Sequence, residues 1–191
     1  MTTVSILGKG NMGSAIAGVA EKAGANVELF DSSDTSKAVT GDIVVLAVPY
    51  PAVSGIVEQR GAQLAGKIVV DITNPLDFAT FDGLVVPADG SAAAMIASKV
   101  PGATVLKAFN TTFAATLSSK TVGGLPTTVL IAGDDDSAKA TLTEIVLAGG
   151  LRAIDAGSLK RARELEAIGF LQITLAAAER ISWTGGFAVA S

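Results

Sequence analysis

Val4-Ser5-Ile6-Leu7-Gly8-Lys9-Gly10-Asn11-Met12-Gly13-Ser14-Ala15-Ile16 is the stretch that decides how this chain reads. It places a Gly-x-Gly-x-x-Gly between a short apolar strand, Val4 to Leu7, and a run of Ala, Ile, Val and Gly that continues as a helix up to Gly24. Gly8 permits the tight turn, Gly10 lets backbone N–H groups approach a pyrophosphate, and Gly13 lets helix and strand pack closely. The helix N-terminus adds unpaired N–H groups and a partial positive charge. A second apolar strand, Val27 to Phe30, ends at Asp31, about 20 residues on, where a dinucleotide-binding unit carries its ribose-binding acid. Strand, glycine loop, helix, strand and acid in that order make a dinucleotide-binding unit, where a lone glycine triplet would be a weak signal.

Outward from this unit, apolar strand candidates recur at 4–7, 27–30, 43–47, 68–72, 104–108, 128–132 and 151–154, with helical stretches at 12–23, 51–60, 91–99 and 137–148. Alternating strands and helices predict an α/β fold, a Rossmann-type, doubly wound, mostly parallel sheet. The stretch between Asp31 and Ile43 is polar and too short for a crossover helix, so a loop or single turn is expected there. Residues 76–90 and 110–126 read as irregular loops. Leu159 to Ser182 reads as an amphipathic helix, with Leu165, Ile168, Leu171 or Gln172, and Leu175 inward, and Lys160, Arg161, Arg163, Glu164 and Glu166 in solvent. Gly169 inside it suggests close packing. The expected organisation is a dinucleotide-binding domain at 1–155 and a C-terminal helical extension at 156–191.

Composition narrows the chemistry. The 191 residues are 49% hydrophobic, with a mean hydropathy of +0.52, yet no apolar run approaches the ~18 residues of a membrane helix. The excess is expected in buried parallel strands and in a subunit interface, hence a homodimer. A net charge of −4 without a basic cluster argues against nucleic acid. No export signal is read, so a cytoplasmic location is expected. The chain has neither His nor Cys, which removes thiol nucleophiles, disulfides, Zn–Cys/His sites and imidazole catalysis. No catalytic side chain and no metal site is therefore assigned. Hydride transfer, which a cofactor performs itself, survives.

Ligands of doubly wound sheets lie beyond the strands' carboxyl ends, so the residues following each strand are the site candidates. Ala47-Val48-Pro49-Tyr50-Pro51 forms a stiff ledge beside the pyrophosphate turn, or simply a strand stop and helix start. Thr73 and Asn74, before Pro75, can hydrogen-bond the nicotinamide ribose or carboxamide; an Asx-type turn is the plainer alternative. Asn110 is a plausible substrate contact, and Lys107 reads as a strand-edge or interface charge rather than a base. Asp31 favours NAD by repelling a 2′-phosphate, whereas Ser32, Ser33, Thr35, Ser36 and Lys37 can cradle that phosphate; no Arg lies nearby in sequence, and the choice stays open. Asp134-Asp135-Asp136 reads as the cap of the following helix rather than a metal cluster. Trp183-Thr184-Gly185-Gly186-Phe187 can fold over the nicotinamide face, pack against a second subunit, or dock as an ordinary tail.

Six ordered motifs carry a resemblance across almost the whole chain. Gly10-Asn11-Met12-Gly13, Ala47-Val48-Pro49-Tyr50, Lys67-Ile68-Val69-Val70-Asp71-Ile72-Thr73-Asn74-Pro75-Leu76, Lys107-Ala108-Phe109-Asn110-Thr111, Ile131-Ala132-Gly133-Asp134-Asp135 and Asp155-Ala156-Gly157-x-Leu159-x-x-Ala162-Arg163-x-Leu165-Glu166 resemble the coenzyme F420-dependent NADP oxidoreductase family. The reductase domain of the STEAP ferric reductases looks similar. The resemblance implies an enzyme passing hydride between NADP and a deazaflavin, coenzyme F420, with no required protein acid or base. It implies that Gly8, Lys9, Gly10, Asn11, Met12 and Gly13 hold the pyrophosphate and that Val48 and Pro49 flank the ribose. Asn74 and Pro75 would lie by the nicotinamide, and Asn110 and Thr111 would face the acceptor. Three departures leave choices open, one of them the missing crossover after the second strand, which bears on NADP preference. Asp31-Ser32-Ser33 replaces the family's basic pair, so NAD stays possible. Asn110 stands where F420-using members carry a His, so a flavin or other acceptor remains possible. A different class of protein, one that binds or senses a dinucleotide without catalysis, also fits these residues. Pyrroline-5-carboxylate reductase shares the Gly-Asn-Met-Gly turn, but its large helical dimerisation domain has no counterpart in residues 155–191.

Overall fold

A computed structural model of the chain describes residues 1–190; Ser191, the last residue of the expected extension, lies outside them. Five parallel strands form the body of the sheet: β1 (Thr3–Leu7), β2 (Asn26–Phe30), β3 (Ile43–Leu46), β4 (Ile68–Asp71) and β5 (Thr104–Lys107). Two more, β8 (Thr128–Gly133) and β9 (Arg152–Gly157), complete it. The order is β2-β1-β3-β4-β5-β8-β9. β8 and β9 are parallel to each other, and β8 joins β5 antiparallel through only two register pairs. The mostly parallel, doubly wound sheet is thus borne out. β1 pairs with β2 on one side and β3 on the other. The chain changes direction of winding there, the place where such folds open a crevice for ligands.

β3 and β4 explain the high hydropathy. Ile43, Val44, Val45, Leu46, Val69 and Val70 are all at most 1% exposed, because helices cover both faces of a parallel sheet and leave no solvated side for alternation. Burial of each contributes about 1.5–3 kcal/mol. One face packs α1 (Asn11–Lys22), α4 (Ala114–Ser119) and α5 (Asp136–Ala148) against the sheet. The other packs α2 (Tyr50–Leu64), α3 (Ala92–Lys99) and the start of α6 (Ala162–Ala177). Asp135 caps α5 by accepting from Ala138 N at 2.8 Å, as expected of the Asp triplet.

Residues 31–42 cross from β2 over β1 to β3 without a helix, as their length demands. α2 supplies what the missing helix would have done. Gln63 Oε1 accepts from Val39 N at 2.9 Å, and Arg60 donates to the carbonyls of Lys37 and Asp34.

Three expectations are corrected. Residues 110–126 are not wholly irregular: they hold α4 and a hairpin of β6 (Thr121–Val122) and β7 (Leu125–Pro126). Short elements of that kind carry too few residues for a readable period. The last helix stops at Ala177, where Glu179 takes a left-handed φ of 56° and Arg180 N returns to Leu175 O at 2.8 Å. Its buried face is Ala162, Leu165, Glu166, Gly169, Gln172 and Ala176, while Ile168 and Leu171 are 37% and 50% exposed. Glu166 turns inward because a buried cation awaits it, and that rotates the apolar Ile168 and Leu171 outward.

Candidate functional site

The glycine loop is built as the spacing requires. Gly8 has φ +115°, and a Cβ on it would lie 2.1 Å from Ala47 O. A Cβ on Gly13 would lie 1.9 Å from Gly8 O, so helix and loop touch backbone to backbone. A Cβ on Gly10 would meet nothing within 4 Å. Gly10 therefore faces open space at the N-terminus of α1, where free amides and the helix dipole attract an anion. That space is open to an anion such as a phosphate.

A cavity lies at each end of this loop. The first, about 380 Å³, is walled by Gly8, Phe30, Asp31, Ser32, Thr35 and Val48, with Ile56, Gln59 and Arg60 of α2. The second, about 390 Å³, is walled by Asn11, Met12, Ile72, Asn74, Asn110, Thr112, Phe113, Ile173 and Trp183. One cavity on either side of the glycine loop leaves room for the two ends of a dinucleotide.

In the first cavity Asp31 does not stand alone. Its Oδ2 is ion-paired with Lys9, and its Oδ1 accepts from Ser33 N at 2.7 Å and Ser33 Oγ at 2.5 Å. The hydrogen bonds from Lys9 and Ser33 hold the Asp31 carboxyl well below the usual carboxylate range, and the same contact raises the Lys9 ammonium. Lys37 donates to Leu29 O at 3.0 Å and sits 4.1 Å from the Phe30 ring centre, and it does not itself line the cavity. The view that no Arg is available is corrected: α2 brings Arg60 to this wall, 5% exposed and 5.4 Å from the same ring. Its guanidinium is committed to two loop carbonyls. A residue 29 positions after Asp31 gives no local signal of such a meeting.

In the second cavity Asn74 and Asn110 hold each other. Asn74 Nδ2 donates to Asn110 O at 2.9 Å, and Asn110 Nδ2 donates to Asn74 Oδ1 at 3.0 Å and to Leu165 O at 2.8 Å. Asn110 Oδ1 is buried with no partner, and so is Thr73 Oγ1. Gly169 of α6 makes the pair possible, since a Cβ there would lie 2.2 Å from Asn74 Oδ1. Thr73 and Pro75 are buried behind the wall, and Ala47 N donates to Leu7 O at 2.8 Å. Pro49 is exposed at the start of α2. Thr111 is buried with its carbonyl turned to Gln172, 3.3 Å away; Thr112, not Thr111, walls the cavity.

Beneath this site lies a charged cluster. Lys107 reads wrongly as a strand-edge or interface charge: it is fully buried, and its Nζ donates to Asp71 Oδ2 at 2.8 Å, Glu166 Oε1 at 2.9 Å and Thr73 O at 2.5 Å. Glu166 also accepts from Ala92 N and Ala93 N at the start of α3, at 2.9 and 3.3 Å. Burial pushes the Glu166 carboxyl above its ordinary value, with Lys107 opposing. The cluster ties β4, β5, α3 and α6 to the backbone of the Thr73–Pro75 turn. A signal was present: Asp71 and Lys107 close adjacent apolar strands and are register partners. Among the described residues no group of His, Cys, Asp or Glu is placed to hold a metal ion.

Comparison with known proteins identifies the family and the fold. The family model described as NADP oxidoreductase coenzyme F420-dependent matches residues 19–75. The F420-dependent NADP reductase of Methanocaldococcus jannaschii is 32% identical over 161 residues, covering 82% of this chain and 72% of that protein. Metalloreductase STEAP3 of Rattus norvegicus is 42% identical over 106 residues, which are 56% of this chain and 20% of that protein. A crystal structure from Arthrobacter sp. FB24, provisionally named an F420-dependent NADP-reductase, superposes with a TM-score of 0.85 over 100% of both chains. At 24% identity that likeness speaks for the fold.

Proposed function

The chain belongs to the coenzyme F420-dependent NADP oxidoreductase family, and from that premise we propose that it transfers hydride between NADP and coenzyme F420. The observation that carries the reading is the open glycine loop with a cavity at each end. Bound NADP supplies the hydride chemistry itself, which suits a site without an imidazole or thiol. In this reading Gly8, Gly10 and Gly13, with Lys9, Asn11 and Met12, hold the pyrophosphate. Asp31, Ser32 and Ser33 receive the adenosine ribose, Val48 and Pro49 flank the ribose next to the loop, and Asn74 and Asn110 orient the nicotinamide and acceptor. The apolar walls given by Met12, Ile72, Phe113 and Ile173 exclude water from the transfer site. Residues 1–155 carry the dinucleotide, and the extension from residue 156 closes the acceptor side. No observation favours a non-catalytic binding protein.

The finer parts of the reading are a homodimer and a cytoplasmic location. The exposed Ile168 and Leu171 on α6 support a subunit contact. No helix among the described residues is long and apolar enough to cross a membrane. Mixing the protein with NADPH and oxidised F420 and following the loss of deazaflavin absorbance tests the proposal. NADPH-dependent reduction is expected. No reduction, with no thermal stabilisation by NADPH or NADH, would refute it.

A further inference from the structure

We infer that Trp183 is the stacking wall for the acceptor's ring, and that the second cavity recognises only the planar, uncharged part of that molecule. This inference rests on the hydride-transfer reading above. After α6 the chain reverses at Glu179 and carries Trp183 back against Phe113, with ring centres 5.0 Å apart and planes at 52°. The two rings form one wall of the cavity. Trp183 is nevertheless 52% exposed, so much of the largest apolar side chain in the protein stands open at the cavity's mouth, where a flat ring would cover it.

The segment bearing Trp183 is clipped in place. Gln172, 1% exposed, accepts from Phe187 N at 2.9 Å and donates to Thr111 O at 3.3 Å. One buried amide thus fastens the tail, α6 and the turn that follows β5, so the indole is positioned by the same turn that presents Asn110. The rest of the wall supplies polarity without charge: Asn11, Asn74, Asn110 and Thr112 are its polar residues, and no ionisable side chain lines it. The Oδ1 of Asn110 has no hydrogen-bond partner, but it is itself buried behind that wall. A flat, uncharged ring with polar edges matches that wall, whereas an anionic side chain finds no cation there and stays outside.

The experiment exploits Trp183 as the single tryptophan of the chain. Titration of the whole protein with coenzyme F420 is expected to quench tryptophan emission saturably. Removing the stack in Trp183→Ala is expected to raise the Kd for F420 about tenfold, while Trp183→Phe stays within about threefold. NADP affinity, which the glycine loop and the first cavity also carry, changes by less than about threefold in both. A deazaflavin stripped of its charged side chain is expected to bind within about threefold of F420. Normal turnover of F420 with an unaltered Kd in Trp183→Ala overturns the stacking role alone. A loss of about thirtyfold or more on stripping the side chain overturns the ring-only recognition. A loss of NADP affinity as large as the loss for F420 overturns it too, since the tail would then serve the whole fold. No F420 binding despite intact NADP binding overturns this inference together with the reading beneath it.

Discussion

Lys107→Met removes the cation from a cluster that has no access to water. The Lys107, Asp71 and Glu166 side chains are 0–1% exposed, and the ammonium uses all three of its donors, on the two carboxylates and on Thr73 O. Met keeps most of the volume, so the change isolates the charge. Asp71 then retains Thr73 N at 2.8 Å, and Glu166 retains the two α3 amides. Those dipoles replace only part of a full charge, and breaking a buried pair from one side costs about 3–5 kcal/mol. With a urea slope of about 2 kcal/mol per molar, the midpoint should fall by about 2 M.

The pH dependence has a definite sign. Glu166 has its folded pKa raised by burial. Its contribution to stability is therefore complete below its unfolded value and is lost as pH rises through the folded one. Without Lys107 the folded value rises further and the loss extends to higher pH. The deficit of the variant should thus be larger at neutral pH and shrink as the pH is lowered and Glu166 takes up a proton. Adding Asp71→Leu and Glu166→Leu should recover most of the stability, because well-packed apolar residues often replace a buried ionic cluster without loss. A midpoint change under about 0.5 M at neutral pH, or one independent of pH, would refute a desolvated cluster.

Gly10→Val should abolish dinucleotide binding without unfolding the protein, since its side chain enters open space at the loop; calorimetry with NADPH beside a thermal melt checks both halves. Gly13→Ala should do the opposite and cost stability, at least ~1–3 kcal/mol of overpacking, because its Cβ meets Gly8 O. A melting point equal to that of the parent would contradict the close approach. Asp31→Ser should raise affinity for NADPH over NADH several-fold, because it removes an anion and frees Lys9; an unchanged ratio would mean that Asp31 does not face the ribose.

The sequence by itself determined the succession of the seven sheet strands and of the longer helices between them, the doubly wound class and the glycine loop. Those features are written in local periods and in residue types that only one backbone tolerates. Val4–Leu7 running into Gly8 and Gly13, or Ile43–Leu46 as an unbroken apolar run, needs no distant partner to be read. The loop at 31–42 was legible too, because chain length alone forbids a helix there. Tertiary structure decided the rest, wherever a side chain takes its meaning from something far along the chain. Glu166 looked like a solvent-facing acid until Lys107, 59 positions earlier, was seen facing it across the core. Arg60 was invisible to the cofactor pocket until α2 folded over Phe30. Asn110 looked like a free substrate contact, whereas Asn74 and Leu165 O hold its amide. Charged and polar groups in the interior must find partners, and which partners they find depends on packing that no local pattern encodes.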